Sequence, residues 1–299
     1  MTSFLLSCFV LAFLTHVQAR FEPSCPVIFD GRVPSTADVA LFDRNETPFG
    51  GYRGSEQKWS SLISFPPQVP PALFDYESGA KPMSIAVDQD SVVLPANKQV
   101  ETGYRKTALT FKRNTGSDES GRGVVTYHWS VRQNRDTPLN FTHEYVAVSH
   151  ETANAGGNHF QLVAGLIIGK ENRYPALNWK VLDRTKHIIF QTPILFTNDW
   201  ENFAITLNYN KRTIQVFYST GQNHLSAVTA IEDNTKDNYS PKDNLNPNDE
   251  GGLFQFGLLR KSTGAKDARG NGYQGPQFRE GLTYGSIFVE NSANGCVSR

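Results

Sequence analysis

The chain has 299 residues with 29 basic and 29 acidic side chains, so its formal net charge is zero. Binding to nucleic acid or to an anionic membrane needs a basic surface, and this balance argues against both partners. The chain is 38% hydrophobic and 12% aromatic, enough to bury a sizeable core and too much for a disordered chain. Its 20 Phe and 11 Tyr against 2 Met favour β-strands over long helices.

The first segment of the chain is an apolar leader. Residues 2–18 contain no Lys, Arg, Asp or Glu, residues 4–14 are apolar, and Val17-Gln18-Ala19 has the small-residue pattern of a cleavage site. These features predict a secretory signal peptide at residues 1–19 and a single extracellular domain at residues 20–299. The alternative is a membrane anchor, but the apolar run is too short to span a bilayer comfortably.

Removal of the leader leaves two cysteines, one near each end of the mature chain. In an oxidising compartment, such a pair predicts one disulfide between Cys25 and Cys296, with two free thiols as the alternative. Three sequons add an expectation of N-glycosylation, at Asn45, Asn140 and Asn238.

Strand patterns dominate the chain after residue 80. Alternating or β-branched segments occupy residues 83–93, 102–111, 123–132, 143–150, 160–168, 187–191, 202–210, 213–219, 253–258 and 282–290. The segments 202–209 and 213–219 flank Asn210-Lys211-Arg212 and predict a hairpin. We therefore predict an all-β fold, a two-sheet jelly-roll sandwich with one concave sheet whose polar face forms a substrate groove. The long polar loop at residues 232–252 lacks the spaced acidic pattern of a calcium loop.

The densest cluster of reactive side chains lies at residues 140–151. Strict alternation places neighbouring side chains on opposite faces of the strand. One predicted face consists of Thr142, Glu144, Val146, Val148 and His150. The opposite face consists of His143, Tyr145, Ala147, Ser149 and Glu151. Glu144 is the candidate catalytic carboxylate, with a surface or ion-paired glutamate as the alternative. Along an extended strand, His150 lies about 20 Å from Glu144, so the two cannot act on one bond unless a bulge intervenes.

A second polar face is predicted in the strand at residues 123–132. Its odd positions are apolar, and its even positions are Thr126, His128, Ser130 and Arg132. Alternation therefore predicts that these four side chains line the groove beside Glu144, where they would bind or support the substrate; for His128 the alternative is an ordinary hydrogen-bonded histidine. The zincin, nucleophile-elbow and P-loop motifs are absent from the sequence, and we expect no metal and no cofactor.

Several ordered motifs carry a family resemblance. They are Cys25–Pro34, Ser60–Pro66, Gly103–Leu109, Pro138–Tyr145 and Glu280–Gly285. Together they resemble the catalytic domain of glycoside hydrolase family 131, which comprises secreted fungal β-glucanases, over essentially the whole mature chain.

The resemblance implies a jelly roll that hydrolyses β-1,3, β-1,4 or β-1,6 glucans with two glutamates on its concave face. One of them corresponds to Glu144, and Arg105 and His143 would support it or bind substrate. At the position of the second, this chain has Ala108, so Glu101 or Glu119 would have to substitute. We expect a monomer that acts on a β-glucan or related polysaccharide.

Two rival functions remain open at this point. The first is a non-catalytic glucan-binding protein that kept the groove and lost hydrolysis through Ala108. The second is a polysaccharide lyase acting on uronates, for which Arg105, His128 and Tyr145 would supply the cation and the base.

Overall fold

The computed structural model describes residues 21–93, 101–153, 157–235, 251–265 and 268–299. Within these ranges the chain forms one short α-helix, α1 at Ala40–Asp43, and two short 3₁₀ helices at Trp59–Ser61 and Glu119–Gly121. The strands are β1 Val27–Asp30, β2 Phe49–Tyr52, β3 Ile63–Ser64, β4 Met83–Asp88, β5 Tyr104–Phe111, β6 Val124–Gln133, β7 Glu144–Glu151, β8 Asn158–Gly165, β9 Asn178–Asp183, β10 Ile188–Pro193, β11 Glu201–Asn208, β12 Thr213–Thr220, β13 Ser226–Ala227, β14 Glu232–Asp233, β15 Leu253–Lys261 and β16 Arg279–Asn291. The predicted signal peptide, Asn238 and most of the polar loop at 232–252 lie outside the described residues.

The strands form two antiparallel sheets. The nine-stranded sheet has the order β13-β12-β11-β6-β16-β4-β3, with β1 beside β16 and β14 beside β12. The seven-stranded sheet has the order β10-β9-β8-β7-β15-β5-β2. The crossovers between distant strands, such as β6 beside β16, are those of a jelly-roll sandwich, and the predicted fold class is confirmed.

One continuous apolar core lies between the two sheets. The odd positions of β6 point into it as predicted, since Tyr127 and Trp129 are fully buried there. Side chains of the seven-stranded sheet, among them Phe160 and Trp179, fill the core from the other side. The predicted hairpin is confirmed, because β11 pairs with β12 up to Asn208 opposite Thr213.

The even positions of β6 do not line a groove, and that prediction was wrong. Their face of the nine-stranded sheet is covered by a second apolar cluster, made of Phe21, Leu73, Phe74, Ala204, Phe217, Leu225 and Phe288. His128 lies beneath it, stacked on Phe288 at 4.2 Å between ring centroids, with Nε2 at 2.9 Å from Glu290. Alternation identifies which side chains share a face, but it does not say what covers that face.

The neighbours of His128 on this face have local partners as well. Ser130 donates a hydrogen bond to the Asn202 amide oxygen at 2.6 Å. Arg132 lies over the Trp200 ring at 5.7 Å from its centroid. All four predicted groove residues of β6, including Thr126, therefore belong to the sheet that does not contain Glu144.

A bulge in β7 overturns the predicted parity of that strand. Val146 pairs with Val163 of β8, whereas Val148 pairs with the adjacent Leu162, so β7 has one extra residue here. Beyond the bulge, His150 points into the core, where its Nε2 lies 2.9 Å from the Tyr127 hydroxyl. The bulge instead brings Glu151 to the face that carries Val146, at the wall of an open groove.

The two ends of the described chain are joined. Cys25 and Cys296 form a disulfide with their Cα atoms 5.9 Å apart, which confirms the predicted pairing. Next to it, the Ser24 amide donates a hydrogen bond to the Ser298 hydroxyl at 2.9 Å. In the part of the chain that the structure describes, no helix is long and apolar enough to cross a membrane.

Candidate active site

An open groove of about 450 Å³ lies on the outward face of the seven-stranded sheet. Strands β2, β5, β15, β7 and β8 contribute to its walls. The strand register orders the groove from one end to the other. Lys261 pairs with Tyr104 at one end, and Leu253 pairs with Glu151 at the other.

Glu144 is the first residue of β7 and lies at the Lys261 end of the groove. Its carboxylate forms an ion pair with the ammonium group of Lys261 and accepts a hydrogen bond from the Ile168 amide at 2.9 Å. The side chain is only 6% exposed. Burial lowers the pKa of the nearby Lys180 to about 8, although the negative charge of Glu144 acts to raise it. The Glu144 carboxylate is therefore surrounded by two lysines and one backbone amide.

His143 precedes Glu144 in the chain and binds the backbone of Lys261, the ion-pair partner of the Glu144 carboxylate. Its Nδ1 donates to the Lys261 carbonyl at 2.8 Å, and the ring is buried. Burial lowers the pKa of His143, and the Arg260 guanidinium lowers it further. The ring is therefore neutral near pH 7 and aligns β7 with the end of β15. The predicted supporting residue adjoins the candidate carboxylate.

Glu101 brings a second carboxylate to the same end of the groove. It accepts a hydrogen bond from Arg269 Nε at 2.6 Å and forms an ion pair with the same guanidinium. The Gly103 amide donates to the Arg269 carbonyl at 3.0 Å, and a side chain at Gly103 would collide with the Ala268 carbonyl. A glycine at this position thus allows the Arg269 segment to approach Glu101.

Tyr104 lies near both of these pairs on the groove wall. Burial raises the pKa of Tyr104, Lys261 opposes that rise, and Glu144 and Glu101 add to it. Arg269 opposes the rise as well. Two carboxylates and their two cations therefore act on one half-buried tyrosine.

Ala108 lines the groove, but it is not opposite Glu144. It pairs with Gly257, four residues along β5 from the Tyr104–Lys261 pair, or about 13 Å. Strand β5 is also separated from β7 by β15. This register places position 108 away from the Glu144–Lys261 end of the groove, so it does not favour the expectation that a carboxylate there would flank a bond together with Glu144.

The middle of the groove near Ala108 carries a cation instead. The Lys106 ammonium lies 4.0 Å from the centroid of the Tyr52 ring and donates to the Gln255 side-chain oxygen at 2.8 Å. Gln255 in turn donates to Glu151 at 2.8 Å. These polar groups line the groove between its two ends.

Two other predicted residues lie outside the groove walls. Arg105 donates to the carbonyl oxygens of Gln89 and Thr102, both at 2.7 Å, so it holds the start of β5. Glu119 is exposed in its 3₁₀ helix, whose Gly121 carbonyl binds the Gly251 amide just before β15. That is the Glu151 end of the sandwich, remote from Glu144.

Sequence reasoning missed Lys261 and Arg269 as site residues. We ended the predicted strand at Leu258, whereas β15 runs on to Lys261. A signal was present, because polar side chains follow the apolar run and alternate in direction on a strand. The segment around Arg269 carries no such periodic signal.

A jelly-roll sandwich with paired carboxylates in an open groove is the architecture of a carbohydrate-active protein. The sequence matches the family model described as the glycoside hydrolase 131 catalytic N-terminal domain over residues 27–295. The chain belongs to this family of glycoside hydrolases, and the resemblance noted in the sequence is confirmed.

Solved structures agree with this assignment at the level of the fold. The chain is similar to a β-glucanase catalytic domain of family 131 from Podospora anserina, at 17% identity and a TM-score of 0.63, covering 91% of this chain and 97% of that one. It is also similar to a family 131 catalytic domain from Coprinopsis cinerea, at 15% identity and a TM-score of 0.62, covering 89% and 94%. No curated protein matches the sequence.

Proposed function

We propose that this protein is a secreted β-glucan hydrolase in which Glu144 and Glu101 are the two catalytic carboxylates. One observation carries the proposal: the Glu144–Lys261 and Glu101–Arg269 pairs lie at the same end of the groove, near Tyr104. Hydrolysis of a glycosidic bond needs two such carboxyl groups beside the bond. The substrate is a β-1,3, β-1,4 or β-1,6 glucan, as family membership supports.

The surroundings of the two carboxylates suit different roles. Glu144 is nearly buried and is held in place by Lys261 and the Ile168 amide, and in this position it would stabilise positive charge at the anomeric carbon. Glu101 is 20% exposed, and its partner Arg269 is 64% exposed. An exposed ion pair is weak, so a bound sugar can displace it. Glu101, in its protonated form, then donates its proton to the departing glycosidic oxygen. The water that attacks the anomeric carbon leaves its hydroxyl group on the sugar and returns its other proton to the Glu101 carboxylate.

The lyase reading receives less support from the same geometry. Its proposed base, Tyr145, is fully buried and donates to Glu280 at 2.6 Å. Its second residue, His128, belongs to the other sheet. The glucan-binding reading depends on a missing second carboxylate, and Glu101 supplies one in the groove.

The function is tested by incubating the purified protein with laminarin, barley β-glucan, cello-oligosaccharides and glucuronan. New reducing ends without ultraviolet absorbance from unsaturated sugars support hydrolysis. Unsaturated products identify a lyase. Retained glucan binding without either product identifies a binding protein and overturns the proposal.

The roles of the carboxylates are tested by Glu144→Gln and Glu101→Gln. Each substitution keeps the side-chain volume and is expected to lower kcat by about 10²-fold or more, because a general acid, general base or nucleophile is lost. Glu119→Gln is the matched control, since this exposed glutamate lies at the opposite end of the sandwich. Equal rates for Glu101→Gln and the control would remove Glu101 from the mechanism.

Secretion and glycosylation belong to the same proposal. The disulfide suits an oxidising compartment. Asn45 and Asn140 are exposed, and the Asn140 side-chain oxygen accepts a hydrogen bond from the Thr142 hydroxyl at 2.9 Å. We expect the secreted protein to begin at residue 20 and to lose mass when N-glycans are removed. An intact leader on the extracellular protein would contradict this.

A further inference from the structure

Tyr104 presents an uncommitted hydroxyl to the groove. The buried tyrosines of the sandwich bind protein partners: Tyr284, for example, donates to the Gly257 carbonyl at 2.7 Å and Tyr145 to Glu280 at 2.6 Å. Within the described residues, the Tyr104 hydroxyl makes no hydrogen bond, although the ring is half-buried and lines the groove. A phenol both donates and accepts, so this group has two free positions for a ligand.

The backbone holds this tyrosine rigidly. The Tyr104 amide donates to the Glu101 carbonyl at 2.9 Å, and its own carbonyl accepts from the Arg105 guanidinium at 3.0 Å. On the adjacent strand, Lys261 is its register partner. Groups fixed by a sheet are better positioned for recognition than groups on a free loop.

The charges around the ring identify what can bind there. Burial raises the pKa of the phenol, and Glu144 and Glu101 help to raise it, so the hydroxyl keeps its proton at neutral pH. Both carboxylates form ion pairs with cations. The phenol near them is a neutral group that can donate and accept hydrogen bonds. A neutral sugar with several hydroxyl groups matches a neutral donor and acceptor better than an ion does.

We propose that Tyr104 is a third catalytic residue, whose hydroxyl oxygen accepts a hydrogen bond from a hydroxyl group of the glucosyl unit at the cleaved bond. This inference rests on the proposed function, because it takes the bond to lie between Glu144 and Glu101. The ring forms the floor under that sugar, and the hydroxyl fixes its orientation toward both carboxylates. The sugar hydroxyl becomes a stronger donor as positive charge develops on the ring, so the effect of this bond is larger in the transition state than in the ground state.

The test is Tyr104→Phe, which removes one oxygen and keeps the ring. We expect kcat/KM on the best glucan to fall by roughly 10- to 100-fold, mainly through kcat. Tyr76→Phe is the matched control; Tyr76 follows residues 72–75, which pack on the other sheet. Tyr104→Leu removes the ring as well and is expected to lower activity further. Wild-type kinetics for Tyr104→Phe, with a loss only for Tyr104→Leu, would overturn the hydroxyl's role.

A binding measurement separates this inference from the proposed function. In Glu144→Gln, calorimetric affinity for the same oligosaccharide is compared with and without Tyr104→Phe, and a weakening of about 3- to 10-fold is expected. If the wild type binds glucan without cleaving it, the proposed function fails. Weaker binding by Tyr104→Phe then still supports the contact, and equal binding overturns it. If the wild type neither cleaves nor binds any glucan, both proposals are overturned.

Discussion

The carboxylate of Glu144 at the start of β7 is paired with the ammonium of Lys261 at the end of the neighbouring strand β15. The pair joins these two neighbouring strands, and His143 strengthens the junction through the Lys261 carbonyl. Lys261 is also the register partner of Tyr104 on β5. Lys261 therefore lies between the candidate carboxylate on β7 and the tyrosine on β5.

Lys261→Met is expected to lower kcat/KM on glucan by about 10- to 100-fold, because Glu144 loses the cation that holds its charge and position. The change also leaves a nearly buried carboxylate with less compensation, so a lower melting temperature is expected. Initial rates are measured well below the melting temperature. Lys261→Arg should recover part of the activity, and Lys211→Met, in an exposed turn, should match the wild type. Unchanged kinetics for Lys261→Met would contradict the role of the pair.

The fold was predictable because apolar and polar side chains alternate every second residue along the strand segments. In β6, the alternation of residues 124–132 correctly placed Tyr127 and Trp129 in the core. The outward face was misread, since the residues that cover His128 come from the remote segments near Phe74 and Phe288. No local pattern in β6 contains that information.

The candidate site was predicted only in part. The residue type and strand position of Glu144 were available from the sequence, but the bulge after Val146 was not, and that bulge determines which later residues face the groove. Glu101 was named as a substitute without a location. Its position beside Arg269 depends on a contact between segments 168 residues apart.

Ala108→Glu is expected not to raise glucanase activity. The new carboxylate would lie next to Lys106 in the middle of the groove, four residues along β5 from Tyr104. It would form an ion pair there and compete with the Lys106–Gln255 hydrogen bond. The kinetic constants on laminarin check this, with Ala108→Gln as the uncharged control. A rise in kcat that is specific to the glutamate would show that bond cleavage occurs near Ala108.

Replacement of Cys25 and Cys296 by serine is expected to destabilise the fold by about 5 kcal/mol, because the bridge closes a loop with a sequence separation of 271. The melting temperature should fall, whereas the rate measured below it should not, since the bridge lies beside β1 and β16 of the nine-stranded sheet. Adding reductant to the wild type should give the same shift in melting temperature. A variant as stable as the oxidised wild type would contradict the expected contribution of the bridge.

The last prediction concerns Glu201, the first residue of β11. Its carboxyl group is fully buried and accepts hydrogen bonds from Trp179 Nε1 at 2.8 Å, the Leu195 amide at 3.2 Å and the Tyr218 hydroxyl at 3.2 Å. Burial outweighs these bonds and raises the pKa of Glu201 from 4.5 to about 7. In the unfolded chain, the carboxyl group ionises at the lower value. The free energy of unfolding therefore falls as the pH rises from the pKa of Glu201 in the unfolded chain to its pKa in the folded protein.

The expected loss from Glu201 between about pH 5 and about pH 8 is about 2–3 kcal/mol of unfolding free energy. Glu201→Gln cannot ionise, and its amide can accept from Trp179 and Leu195 while donating to the Tyr218 oxygen. Urea unfolding of both proteins at the two pH values checks the prediction. Burial also raises the pKa of Asp75, to about 6, but Asp75 is present in both proteins, so its contribution cancels in the comparison. Glu119→Gln, an exposed change of the same kind, is expected to keep the wild-type dependence. If Glu201→Gln loses as much stability with rising pH as the wild type, another group is responsible for the loss.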